Sequence, residues 1–178
     1  MKPINVNLGC GHQKKEGFIN IDCRCEVKPD VVSDIRCGLD FQDNSVDELH
    51  ADEVLEHFPP DEVDKIMHEI HRVMKQDGLV IINVPHFTKS GRSYLHYWGA
   101  DRLWLKRDYN EYNPSHQFML HSVRYKYAGY DYTFLDAILN RIKPLVDKIL
   151  GYWIGGIENV EFILTPIKQA GVREENSG

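Results

Sequence analysis

The sequence predicts an α/β fold, a doubly wound and mainly parallel sheet, and three stretches predict it. Val6-Asn7-Leu8-Gly9-Cys10-Gly11, followed by Phe18-Ile19-Asn20-Ile21-Asp22, reads as a buried strand, a glycine turn and a second strand ending in a carboxylate. Pro59-Pro60-Asp61 opens a helix in which Val63, Ile66, Met67, Ile70, Val73 and Met74 form one apolar stripe. Leu79-Val80-Ile81-Ile82-Asn83-Val84 is β-branched and nearly continuous, as expected of a strand covered on both faces.

The first strand runs from Ile4 to Leu8 and stops at glycine. Gly9 and Gly11 let the backbone take up positive φ and let a ligand approach the main chain closely. Asp22, at the tip of the next strand, is placed to accept hydrogen bonds from a ribose diol. Together they predict a nucleoside-containing cofactor at the carboxyl ends of parallel strands. The spacing argues against a dinucleotide. Lys14 stands where a nicotinamide fingerprint needs a third glycine, and its acid normally follows about 20 residues on. Leu8 and Phe18 leave room for one helical turn at most, so the first crossover helix is expected to be truncated.

Val31 to Ser33 is the expected third strand, and Val46 to Ala51 the fourth, entered from the turn-like Asp43-Asn44-Ser45. Asp61 and Glu62 suit a helix N-terminus, and Asp77-Gly78 is expected to end that helix. From His86 to Tyr132 periodicity fades, and aromatic, histidine and basic residues crowd together; loops with short helices, forming a lid, are expected there. Helical spacing returns from Phe134 to Leu150, with a break at Lys143-Pro144 and turns at Gly151 and Gly155-Gly156. Val160 to Leu164 is expected as a final edge strand, and the tail from Ala170 as frayed.

A chain of 178 residues suits one domain, here residues 1–170 with 86–132 as a substrate or lid insertion and 171–178 as tail. A net charge of -6 gives no basic footprint for nucleic acid. Cys10, Cys23, Cys25 and Cys37 lack the spacing of a disulfide scaffold or a zinc site, so free thiols in a cytoplasmic protein are expected. No apolar run is long enough to span a bilayer.

Four motifs carry a family resemblance. Val6 to Gly11 is the first. Asp34-Ile35 before Leu39-Asp-Phe-Gln-Asp-Asn-Ser-Val-Asp47 is the second, Ala51-Asp-Glu-Val-Leu-Glu-His-Phe58 the third, and Ile70 to Gly78 with its following strand the fourth. In this order they resemble the class I S-adenosylmethionine-dependent methyltransferases, of the type that includes ubiquinone-biosynthetic and small-molecule enzymes. The resemblance implies a Rossmann-like, seven-stranded sheet, with S-adenosyl-L-methionine as cofactor and S-adenosyl-L-homocysteine as product. It implies that the Gly9, Cys10 and Gly11 backbone lies near the methionyl part and that Asp22 takes the ribose hydroxyls. Asp34 and the Ile35 backbone would read the adenine edge, and Ala51 and Asp52 would border the methionine moiety.

The expected activity is methyl transfer to an oxygen or nitrogen of a small molecule or glycan precursor; the alternative is a non-catalytic cofactor-binding or interaction module on the same fold. For a base, His86 just past the fifth strand is the first candidate and His116 the second. Glu53, Glu56 and His57 resemble a stretch associated with a divalent metal in ubiquinone-type O-methyltransferases, but are expected to be structural, with no metal. Tyr97, Trp98 and Trp104 belong to the region expected to shape a substrate pocket.

Overall fold

The computed structural model describes residues 2–85, 117–126, 134–141 and 159–168. Five strands come first: β1 (Asn5–Leu8), β2 (Ile19–Asp22), β3 (Val31–Val32), β4 (Val46–Asp52) and β5 (Met74–Pro85), with helix α1 (Pro60–Val73) before the last. They are followed by β6 (Phe118–Lys126), α2 (Phe134–Arg141) and β7 (Asn159–Pro166). One sheet of seven strands results, in the order β3-β2-β1-β4-β5-β7-β6. β1 to β5 pair in parallel, while β7 runs antiparallel to both of its neighbours. The predicted mainly parallel α/β sheet is therefore present.

Period-two alternation gives this sheet two unlike faces. Val6, Leu8, Leu49, Ala51, Val80, Ile82, Phe162 and Leu164 point to one side and are all buried. The stripe predicted on α1 is buried in the same core: Val63, Ile66, Met67, Ile70 and Val73 are each at most 1% exposed. The other side carries Asn7 and His50 at one level of the register and Asp52, Asn83 and Glu161 at the next. That polar face is where the site forms.

Four expectations need correction. The connection between β1 and β2 holds turns and no helix, so the first crossover helix is absent rather than truncated. Side chains take its place. Asn7 Nδ2 donates to Asn20 Oδ1 at 2.9 Å and to the Gln13 carbonyl at 3.0 Å, and the Lys15 amide donates to Asn20 Oδ1 at 2.8 Å. Second, α1 ends at Val73, not at Asp77-Gly78. The Arg72 and Val73 carbonyls accept hydrogen bonds from the Asn44 and Ser45 amides (3.0 and 2.8 Å), and Met74 turns into the core. Third, residues 118–126 form a strand where loops were expected, with Phe118 and Tyr125 in the core. Fourth, β7 is interior rather than an edge strand, because β6 pairs along its outer side. His71 on α1 bonds the Ile167 carbonyl at 3.0 Å and stacks edge-on against Phe118. His86, His116, Tyr97, Trp98, Trp104, residues 142–158 and the tail lie outside the described residues.

Between Val46↔Met74 and Glu48↔Leu79 the β4–β5 register slips, and Gly78 sits in this bulge. A Cβ there would lie 3.0 Å from the Lys75 carbonyl and 3.1 Å from the Asp47 carbonyl, both main-chain atoms that cannot swing aside. Gly78→Ala should lower the urea midpoint by the equivalent of about 1–3 kcal/mol with the m-value unchanged. An unchanged midpoint would show that the bulge opens without cost.

Candidate functional site

At the carboxyl end of β1 the chain turns through two positive-φ glycines, Gly9 (+62°) and Gly11 (+50°). A Cβ on Gly9 would stand 2.4 Å from Val54 Cγ2, so the turn packs as tightly as it does because no side chain is there. The Cys10 amide bonds the Ile21 carbonyl at 2.9 Å, and the Gly11 amide donates to Asp22 Oδ2 at 2.8 Å. Asp22 Oδ1 also accepts from the Arg24 amide (2.9 Å) and Arg24 Nε (3.1 Å). Burial pushes this carboxyl up, but the hydrogen bonds from Arg24 and Gly11 outweigh it and hold the group below the usual carboxylate range. Asp22 thus pins the glycine turn to β2.

Two cavities meet at this turn. The smaller, about 370 Å³, is walled by Leu8, Ile21, Ile35, Val54 and Phe58, with Asp22 and Asp34 at its polar end. The larger, about 550 Å³, lies over the polar face and is lined by Cys10, Gly11, Lys15, His50, Asp52, Asn83, Lys126 and Glu161, among others. Gly9 and Glu53 line both. Sizes of this order suit small ligands.

Charged groups on the larger cavity are mostly paired. Lys15 Nζ meets Asp52 Oδ2 at 2.7 Å and His50 Nδ1 at 2.5 Å, while His50 Nε2 meets Glu48 Oε1 at 2.6 Å. An ammonium donating to Nδ1 leaves the imidazole proton on Nε2, facing Glu48. On the opposite wall Lys126 pairs with Glu161 at 3.0 Å, both well buried.

Glu53 occupies the junction. It takes a left-handed backbone (φ +57°), which is uncommon for a non-glycine residue, and its amide donates to the Asn83 carbonyl at 2.9 Å. Its carboxyl meets those of Glu56 and the Asn159 side chain. Burial pushes Glu56 up to about 8, and the adjacent Glu53 charge adds to the effect. Glu53 is raised as well, chiefly by burial.

Among the residues expected to hold a cofactor, Asp22, Asp34 and Ile35 come together on the smaller cavity, and Cys10, Gly11 and Asp52 on the larger. Asp34 is also bound by Arg36, with Nη2 to Oδ2 at 2.6 Å, and this pairing lowers its pKa. Ala51 lies below both cavities, fully buried between Leu8 and Ile82. Glu56 is buried whereas His57 is exposed, and among the described residues no three His, Cys, Asp or Glu side chains converge as a metal site would require. Sequence reading missed Lys15, His50, Asn83, Lys126 and Glu161. The alternation Glu48, His50, Asp52 on one strand face was the available signal for His50; Lys126 and Glu161 meet the others only through long-range pairing.

Residues 8–82 match a family model described as "Methyltransferase domain". The fold is shared with a solved S-adenosylmethionine-dependent methyltransferase from Archaeoglobus fulgidus (TM-score 0.56, 19% identity, covering 92% of this chain and 86% of that one). It is shared also with a putative type 11 methyltransferase from Sulfolobus solfataricus (TM-score 0.52, 15% identity, 97% and 89%). Over residues 8–82 the chain thus matches a methyltransferase domain, and its fold is that of solved S-adenosylmethionine-dependent methyltransferases. The [4+2]-cyclase SpnF has the same fold (TM-score 0.58, 14% identity, 93% and 76%), so fold likeness by itself leaves the reaction open. No curated protein matches the chain in sequence.

The solved Archaeoglobus fulgidus protein that shares this fold is S-adenosylmethionine-dependent, and the residues present here fit such a cofactor. The smaller cavity pairs apolar walls with two carboxylates at strand ends, and it reaches the positive-φ turn where a Cβ on Gly9 would have no space.

Glu56 sets a pH dependence of stability. Its folded pKa lies above its unfolded value, so between about 4.5 and about 8 the native state holds the extra proton. Stability should therefore fall as pH rises across this window, with a slope approaching about 1.4 kcal/mol per pH unit. Glu56→Gln should flatten that decline in thermal melts between pH 5 and pH 8. Parallel curves for the two proteins would contradict the assignment.

Proposed function

We propose that this chain is an active methyltransferase that moves a methyl group from S-adenosylmethionine to an oxygen or nitrogen of a small molecule or glycan precursor. The observation that carries the reading is the second cavity, polar and larger, joined to the first at Gly9 and Glu53. A cofactor-binding module without turnover has no need of such a chamber. Bound in the smaller cavity, the cofactor supplies an electrophilic methyl carbon on a sulfonium centre. The chain's part is to hold the two reactants in line and exclude water.

In this reading Asp22 receives the ribose diol by exchanging the Arg24 guanidinium, whose side chain is 55% exposed and able to leave. Asp34 and the Ile35 backbone take the adenine edge, the Gly9, Cys10 and Gly11 backbone the methionyl part, and Ala51 and Asp52 its border. Acceptor selectivity belongs to residues 86–132; within them Lys126 lines the larger cavity, and His86 and His116 remain candidates for the base. A cytoplasmic setting suits four cysteines that are all unpaired. No helix among the described residues is long and apolar enough to cross a membrane.

Calorimetry with S-adenosylhomocysteine tests the cofactor, and its release from S-adenosylmethionine across a panel of hydroxyl and amine acceptors tests turnover. Asp22→Ala should weaken cofactor binding by about 1–3 kcal/mol with the fold intact. Undiminished affinity would remove the ribose assignment. Turnover should persist in EDTA; loss restored by magnesium would give Glu53, Glu56 and His57 a metal role.

A further inference from the structure

Three side-chain oxygens near the junction of the cavities are buried and have no hydrogen-bond partner among the described residues: Glu53 Oε1, Glu56 Oε2 and Asn83 Oδ1. Asn83 is 2% exposed and lines the larger cavity, as Glu53 does, and the Glu53 amide is bonded to the Asn83 carbonyl. All three oxygens can accept and none is supplied with a donor. Native proteins satisfy nearly all such groups, so the exceptions call for an explanation. A ligand rich in N–H or O–H donors provides one.

Charge narrows the choice. On the wall of the larger cavity, Lys15 is matched by Asp52 and Lys126 by Glu161, so among the described residues no cation forms an ion pair with Glu53, and Lys126 acts on it only at longer range. Glu56 stands behind it, 5% exposed, with the two carboxyls hydrogen-bonded to each other and therefore holding one proton between them. One negative charge remains, at the place where donors are missing. The other groups facing Glu53 are Asp52 on its own segment, Asn83 from β5, Lys126 from β6, and Asn159 and Glu161 from β7. His86 and His116 lie outside the described residues, so Glu53 is the titratable group that the described residues bring to both cavities.

We propose that the larger cavity receives an amine as the methyl acceptor, its nitrogen held by Glu53 Oε1 and Asn83 Oδ1, and that the Glu53–Glu56 pair takes the proton the nitrogen must lose. This rests on the methyl-transfer reading. The acceptor enters as an ammonium ion. One N–H bond breaks and the proton passes to the Glu53 carboxylate, freeing the nitrogen lone pair. That pair forms the N–C bond to the methyl carbon while the C–S bond breaks and its electrons stay on sulfur. The product leaves as the methylated ammonium, and Glu53 returns its proton to solvent.

The test uses the full chain, labelled with ¹³C at the glutamate carboxyls and saturated with S-adenosylhomocysteine. Glu53→Gln and Glu56→Gln assign the two signals. Ethanolamine and ethylene glycol are the probes, because they differ in an ammonium against a hydroxyl at the same size. Ethanolamine should shift the Glu53 and Glu56 signals saturably, at about tenfold lower concentration than ethylene glycol. Asn83→Ala, which leaves both carboxyls in place, should remove most of that preference. Equal responses to the two probes, or no shift of these signals, would overturn the amine site while leaving cofactor binding untouched. An intact ethanolamine response in a protein that calorimetry shows not to bind S-adenosylhomocysteine would support the amine site and overturn the methyl-transfer reading.

Discussion

The structure depends on how ten residues, 9–18, join two parallel neighbouring strands without a helix. Such a connection normally takes a dozen residues or more, with a helix to satisfy its backbone. Here three polar side chains of β1 and β2 do that work. Asn7 and Asn20 bond each other and the Gln13 and Lys15 backbone, and Asp22 takes the Gly11 amide. Asp30 closes the set by accepting from the Asn20 amide at 2.9 Å and from Asn20 Nδ2 at 2.7 Å. Without a helix over this part of β1, the polar face of the sheet lines the larger cavity, and the missing crossover and the second chamber are two aspects of one arrangement.

This clasp also explains why Asn7 and Asn20 are buried in strands that otherwise read as apolar. Each is at most 4% exposed, and each has its amide hydrogen bonds made. Buried polar groups with partners specify one geometry, whereas unpartnered ones cost free energy. The contrast with Asn83, Glu53 and Glu56 is instructive. The scaffold half of the site is satisfied internally, and the half at the junction of the cavities is not satisfied by the described residues.

Much of this was legible in the sequence. The glycine turn, Asp22, the α1 stripe and the β5 run each declared an element through local periodicity, and the four motifs carried the resemblance to methyltransferases that the match over residues 8–82 repeats. What was not legible has physical causes. The short connection suggested a stub of helix because nothing local announces that Asn7 and Asn20 will replace one. The end of α1 was misplaced because the backbone amides of Asn44 and Ser45, nearly 30 residues earlier, terminate it. β6 was missed because its alternation is poor: Met119 and Leu120 are both exposed. The polar wall of the larger cavity arises where β4, β5, β6 and β7 place separated residues side by side, which no window along the chain can reveal.

The central claim is that the cofactor seats on the glycine turn, across the tips of β1 and β2 and the segment after β4. Amide hydrogen exchange with and without saturating S-adenosylhomocysteine tests it most directly, because protection on binding is resolved along the chain. Slower exchange should appear at residues 9–13, 23–35 and 53–58, with β6 and the outer half of β7 unchanged. Protection confined to β6 and β7, or none at saturation, would contradict the account.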